Sequence, residues 1–133
     1  MIKINALTVP QFAELRRVSG LFELDPLLIE RAIASSLFTL SAEEDGQTVG
    51  MTRVVGDGAL IALICDVLVR PDFRGRGIGA ALIHAALECA VSNMPPGLWL
   101  TVAVIHAPER YGFYKRLGFE AGKDGVMRTF VRR

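Results

Sequence analysis

Asp66-Val67-Leu68-Val69-Arg70-Pro71-Asp72-Phe73-Arg74-Gly75-Arg76-Gly77-Ile78-Gly79-Ala80 is the stretch whose reading decides the fold. Val67, Leu68 and Val69 are strand formers, and Pro71 has no N–H to continue a ladder, so a strand is predicted to end there. Gly75, Gly77 and Gly79 then put three residues without a Cβ into five positions, which lets backbone N–H groups approach a ligand closely. A helix is predicted to begin inside the same run. Its N-terminus offers unpaired N–H groups at the positive end of the helix dipole. Arg74 and Arg76 add two positive charges beside it. The local chemistry is that of a phosphate or pyrophosphate cradle.

Working outward, Leu60–Arg70 reads as a long central strand, apolar on both faces as a strand covered on both sides requires. Upstream, Phe38–Ala42 and Thr48–Val55 pair across the turn signal Glu44-Asp45-Gly46, and Gly56-Asp57-Gly58 makes the next turn. A short strand is predicted over residues 1–6. Thr8 and Pro10 open a helix that stops at Gly20, and Asp25-Pro26 opens a second through Ser36. Downstream, a broadly apolar helix runs from Gly77 to Ser92 and is broken by Pro95-Pro96-Gly97. Leu98–Ile105 is a strand, and Pro108–Leu117 a helix capped by Gly118. Phe119–Glu120 and Val126–Val131 form a closing hairpin across Gly122-Lys123-Asp124-Gly125. With no repeat, low-complexity tract or linker, residues 1–133 read as one domain of α/β class.

Hydrophobic residues make up 51% of the chain and charged residues 22%, a globular rather than a disordered composition. The net charge of +1 argues against nucleic acid as an obligatory partner. Cys65 and Cys89 lie in apolar runs without metal-ligand spacing, so no metal is expected and free buried thiols suit a reducing cytoplasm. Glu14, Arg16 and Arg17 interrupt the start before a signal-peptide core can form. The longest stretch without Asp, Glu, Lys or Arg, Cys89–Pro108, contains Pro95-Pro96-Gly97, which excludes a membrane-spanning helix there. The expectation is a cytoplasmic protein with neither membrane nor nucleic acid as partner.

Three anion-binding loops compete for the glycine run. A nucleotide-hydrolysing P-loop needs Gly-Lys-Ser/Thr, and no lysine lies between Lys3 and Lys115. A dinucleotide fingerprint would be Gly75-x-Gly77-x-x-Ala80, but it wants an acidic residue some 20 positions on, where this chain reads Pro95-Pro96-Gly97-Leu98-Trp99. The third fits best. Val-x-Val-x-Pro-x-x-Arg-Gly-x-Gly-Ile-Gly resembles the acyl-CoA pyrophosphate loop of the GNAT superfamily of N-acetyltransferases. Phe113-Tyr114-Lys115-Arg116-Leu117-Gly118-Phe119 resembles the segment that closes the same core.

The resemblance implies a mixed sheet of about seven strands with four helices, in the order β-α-α-β-β-β-α-β-α-β-β, whose two central parallel strands splay apart at a bulge. It implies acetyl-CoA as cosubstrate, with pantetheine along Val67, Leu68 and Val69 and the pyrophosphate on Arg74, Gly75, Arg76, Gly77, Ile78, Gly79 and Ala80. Tyr111 and Tyr114 complete the coenzyme contacts. Tyr114 stands where the family commonly carries the general acid for the CoA thiolate, a part that a phenol protonated at neutral pH can play. The family pattern fails at three positions. Ala107 replaces a frequent Asn, and Cys65 and Leu63 stand where strong bases often stand. Asp66 is the adjacent carboxylate and a candidate base, although alternation turns it to the opposite face unless a bulge intervenes; a structural role for it, with the amine losing its proton to water or arriving already neutral, stays open. The acceptor side is expected to involve Phe22, Glu23, Asp57, His106 and Met127, a lining suited to a small-molecule amine; a protein lysine or N-terminal amine stays open. A homodimer is a further implication of the family. The rival reading from a different class is a catalytically silent acyl-CoA-binding module, which the missing base favours.

Overall fold

The computed structural model describes residues 1–92, 94–121 and 126–132, and of Val126, Met127, Arg128 and Phe130 the backbone alone. The elements are β1 (Ile2–Ile4), α1 (Val9–Val18), α2 (Pro26–Ser35), β2 (Phe38–Glu44), β3 (Gln47–Gly56) and β4 (Ile61–Val69). They continue with α3 (Ile78–Val91), β5 (Trp99–Ile105), α4 (Tyr111–Arg116), β6 (Glu120–Ala121) and β7 (Val126–Arg132), the order expected from the resemblance.

Local chemistry explains most of the boundaries. The Thr8 hydroxyl accepts from the N–H of Gln11 while the Gln11 side chain accepts from the N–H of Thr8, a capping box that starts α1. Asp25 caps α2 by accepting from Leu27 N–H, with Pro26 in the first turn. Asp45 at φ 50° and Gly46 at φ 74° give the β2–β3 turn the backbone that matches strand twist. The first strand is shorter than expected because of Asn5, at φ 55°: its N–H still donates to the Thr39 carbonyl, but its side-chain oxygen rather than its carbonyl accepts from Thr39 N–H. The last predicted helix divides into a 3₁₀ turn, Pro108–Arg110, and α4. Ala107 has no side chain to cap it, so the first turn tightens. The expected turn over residues 122–125 lies outside the described residues.

The strands form one sheet in the order β1-β2-β3-β4-β5-β7-β6, in which β4 and β5 are the parallel pair. Leu82, Ile83 and Ala86 of α3 pack with Leu40, Val54, Ile64, Val102 and Phe119 in the larger core. Phe12, Leu15 and Ile29 of α1 and α2 build a second cluster with Met51. Sheet and helices thus form three layers, and the ligand-sized gap lies within the middle one.

That gap has a countable origin. Met51 pairs with Leu68 and Arg53 with Cys65, so two steps along β3 oppose three along β4. The extra residue makes a bulge at Asp66, whose φ of 53° is left-handed. β4 and β5 pair from Ile61↔Thr101 only as far as Ile64↔Val104. Beyond the bulge no strand among the described residues pairs with the edge of β4 that would face β5, and the two strands part as a V.

Candidate active site

The V opens into a cleft of 790 Å³, the size of a cofactor pocket. One wall is β4 past the bulge, Asp66 to Val69; the opposite wall is the end of β5 with Val104, Ile105, His106 and Ala107. The loop and the first turn of α3 close one end, Phe113 and Tyr114 of α4 form the floor, and Ser19 and Leu21 stand at the other end.

The bulge is held from β3. The Thr52 hydroxyl, fully buried, donates to the Cys65 carbonyl at 2.9 Å, satisfying an oxygen that the irregular ladder leaves over. Arg53 Nε meets Asp66 Oδ2 at 2.5 Å, and Arg16 Nη1 lies 3.8 Å from Oδ1. The bulge therefore does turn Asp66 into the cleft, against simple alternation, but both of its oxygens face guanidinium groups. Its visible work is to fasten α1, β3 and β4 together.

At the loop, Gly75 and Gly77 adopt φ of 77° and 80°, and an added Cβ at either would meet nothing within 4 Å. Glycine is needed there for its backbone conformation, with open space beyond. Gly77 is the N-cap of α3 and supplies no side-chain partner, so the first-turn N–H groups point outward into the loop. Gly79 serves differently: a Cβ would lie 3.3 Å from Phe113, so its bareness lets α4 pack close. Arg74 lines the cleft and donates from Nε to the Val69 carbonyl at 3.2 Å. Arg76 does not line it. Its guanidinium stacks on Phe73 at 4.7 Å and reaches Glu44 at 3.7 Å, so its charge is engaged outside the cleft.

Tyr114 is 5% exposed and packs edge-on to Phe113 and Phe119, with His106 6.0 Å away ring to ring. Burial pushes its phenol up from the ordinary value of about 10, with the nearby Arg110 pulling the other way. Cys65 is likewise raised, by burial first and then by Asp66 against Arg53, so a thiol rather than a thiolate stands at the position where a base is often found. Tyr111 is among the exposed residues, beneath Lys115, and does not line the cleft.

The expected acceptor residues are scattered. His106 lines the cleft. Phe22 and Glu23 line a separate groove of 290 Å³ between α1 and α2, which meets the cleft at Leu21. Asp57 lies at the far end of β4, where one carboxylate oxygen accepts from the N–H groups of Ala59, Leu60 and Ile61 and those bonds hold its pKa down. It is a turn residue. The side chain of Met127 lies outside those described. Sequence reasoning missed Thr52 and Arg53, whose signal was a polar pair inside an apolar strand, and also Ser19, Glu109 and Arg110 on the cleft wall.

Among the described residues no group of His, Cys, Asp and Glu could hold a metal ion, and no helix is long and apolar enough to cross a membrane. Residues 35–121 match the acetyltransferase (GNAT) domain family model. The uncharacterized N-acetyltransferase ycf52 of Pyropia yezoensis is 31% identical over 99 residues, covering 73% of this chain and 55% of its own. This chain thus spans about half the length of that relative. A GNAT family acetyltransferase of Streptococcus pneumoniae is 26% identical and superposes with a TM-score of 0.72, covering 90% of this chain and 88% of its own. A Brucella melitensis GNAT acetyltransferase determined with acetyl-CoA has a TM-score of 0.65 at 23% identity, covering 97% of this chain and 87% of its own. Parted parallel strands, a glycine-started helix and the match over residues 35–121 together make this chain a member of the GNAT acetyltransferase family.

Proposed function

We propose that residues 1–133, as one GNAT domain, move the acetyl group of acetyl-CoA onto a primary amine by direct attack. The loop N–H groups and Arg74 suit the pyrophosphate, the free edge at Val67–Val69 suits the pantetheine amides, and the Brucella neighbour carries this donor in the same fold. A backbone N–H near Val67 would hold the oxyanion of the tetrahedral intermediate.

The observation that carries the reading is Tyr114. It is a buried phenol on the cleft floor, and burial keeps its proton in place. The leaving CoA is a thiolate of thiol pKa about 8.5, which such a phenol can protonate. Tyr114→Phe should lower thiol release from acetyl-CoA in the presence of an amine by about 10²-fold, with protection against thermal unfolding by acetyl-CoA retained. An unchanged rate retires Tyr114 as the acid.

The acceptor is a small-molecule amine entering past Ser19, Leu21 and Asp66; a protein lysine or N-terminal amine is the wider range. The thiol at Cys65 and the paired Asp66 carboxylate favour one second reading, a coenzyme-binding module without turnover. It predicts protection by acetyl-CoA and no amine-dependent thiol release. A cytoplasmic location and a homodimer go with the enzyme reading, and sedimentation showing monomer alone would remove the dimer.

A further inference from the structure

His106 ends the wall formed by β5, and its Nδ1 lies 2.8 Å from the carbonyl oxygen of Ala107. A carbonyl oxygen can only accept, so Nδ1 carries the hydrogen, and the neutral ring keeps its lone pair on Nε2. The ring is 6.0 Å from that of Tyr114 and 6.1 Å from that of Tyr111, centroid to centroid. The other imidazole, His84, is exposed on α3 and does not line the cleft. Asp66, on the facing wall, is committed to Arg53 and Arg16, and Cys65 is held as a thiol. Among the described residues, Glu109 and Arg110 on the following turn, and Arg74 on the loop, are the remaining charged groups of the cleft.

We infer that Nε2 of His106 is the general base that takes a proton from the acceptor's ammonium group. The inference rests on the transfer reaction proposed above. One proton of the ammonium passes to Nε2, and the freed nitrogen attacks the thioester carbon. As the tetrahedral intermediate collapses the C–S bond breaks and the Tyr114 hydroxyl protonates the leaving sulfur. The proton still on nitrogen returns to the Tyr114 oxygen, and the imidazolium releases its own to solvent. The sum is amide, thiol and one proton. A base on β5 rather than β4 would explain why the usual positions, Leu63 and Cys65, are free to be apolar.

The test compares wild type, His106→Ala, His106→Gln and Glu109→Gln, using tryptamine and spermidine as probe amines with saturating acetyl-CoA. Initial rates of thiol release are read from about pH 5.5 to about pH 9.5, across the imidazole range. Both His106 variants should lose about 10²-fold in kcat/KM near neutral pH. The deficit should narrow as pH approaches the amine's own pKa, and added imidazole should restore part of the His106→Ala rate. Thermal protection by acetyl-CoA should match wild type in both, showing that the donor site is intact. A loss below about threefold, or one equal at every pH and deaf to imidazole, overturns the assignment. So does a pH-dependent loss of about 10²-fold in Glu109→Gln with the His106 variants near wild type. If wild type itself releases no thiol with either amine, the transfer reading falls and takes this one with it, an outcome told apart by the wild type alone.

Discussion

Asp66→Asn separates the two jobs that the bulge carboxylate could have. Asn keeps the shape and tolerates the left-handed backbone at φ 53°, so the substitution removes charge while leaving the turn its conformation. In the native chain Asp66 is 21% exposed, Arg53 20% and Arg16 12%. Arg16 Nε already lacks a hydrogen-bond partner among the described residues, so the Arg16 guanidinium depends on its Nη contacts. Losing a charge-assisted hydrogen bond costs about 1.5–3 kcal/mol, and stripping one partner from a fully buried pair about 3–5 kcal/mol. With about a fifth of the Arg53 and Asp66 side chains still in contact with water, about 2–3 kcal/mol is expected, or roughly 7–11 °C in Tm at this chain length. Urea unfolding followed by circular dichroism reads it as a lower midpoint at unchanged m. In an Arg53→Met background the same change should cost about 1–2 kcal/mol less, because the partner is already gone. A stability change within about 0.5 kcal/mol, together with a folded protein that no longer turns over, would refute the lock and make the carboxylate chemical.

Thr52→Val keeps volume but leaves the Cys65 carbonyl without its donor, and should cost about 1–3 kcal/mol by urea midpoint; an unchanged midpoint would mean that the bulge needs no pin there. Gly77→Val forces a β-branched residue to φ 80° and puts its side chain into the open cleft. Acetyl-CoA should then give no thermal protection, against about 2.7 kcal/mol for wild type at a hundredfold Kd; retained protection would dismiss the loop as the phosphate cradle. Because burial raises the Tyr114 phenol, the folded chain keeps that proton after the unfolded chain loses it. The resulting stability is complete below about pH 10 and falls as pH rises through the folded value. Tyr114→Phe should flatten the alkaline slope of the unfolding midpoint, and an identical slope would mean that the phenol is not what titrates.

Most of the fold could be read in advance because it is written in local chemistry: the Thr8–Gln11 box, the Asp25-Pro26 start, Asp45-Gly46, and the glycines before α3. The site was legible only where it coincides with that chemistry. Gly75 and Gly77 announce their left-handed backbone by being glycines. Arg76 announces only a charge, and whether it faces the cleft is decided by Phe73 and by Glu44, which is distant in sequence. Asp57 reads from sequence as a turn residue able to reach the acceptor side, because its three partners are backbone N–H groups, which every residue type carries. Asp66 shows the limit most clearly. Its direction depends on a mismatch in count between β3 and β4, and no window along one strand contains both.

That mismatch gives the protein an unusual vulnerability. Removing Asp66 outright would set Val67 opposite Thr52, so that the β3–β4 ladder counted evenly from Cys65 to Val69. Every side chain past the deletion would keep its present face relative to β3, and Arg53 would lose its anion while the backbone lost its kink. The natural direction of such a chain is toward a flatter sheet in which β4 can follow β5 farther, closing from within the space that a donor would occupy. The open cleft thus depends on one supernumerary residue. A single-codon deletion, rather than any substitution, would be the shortest route from an open cleft to a well-folded chain without one.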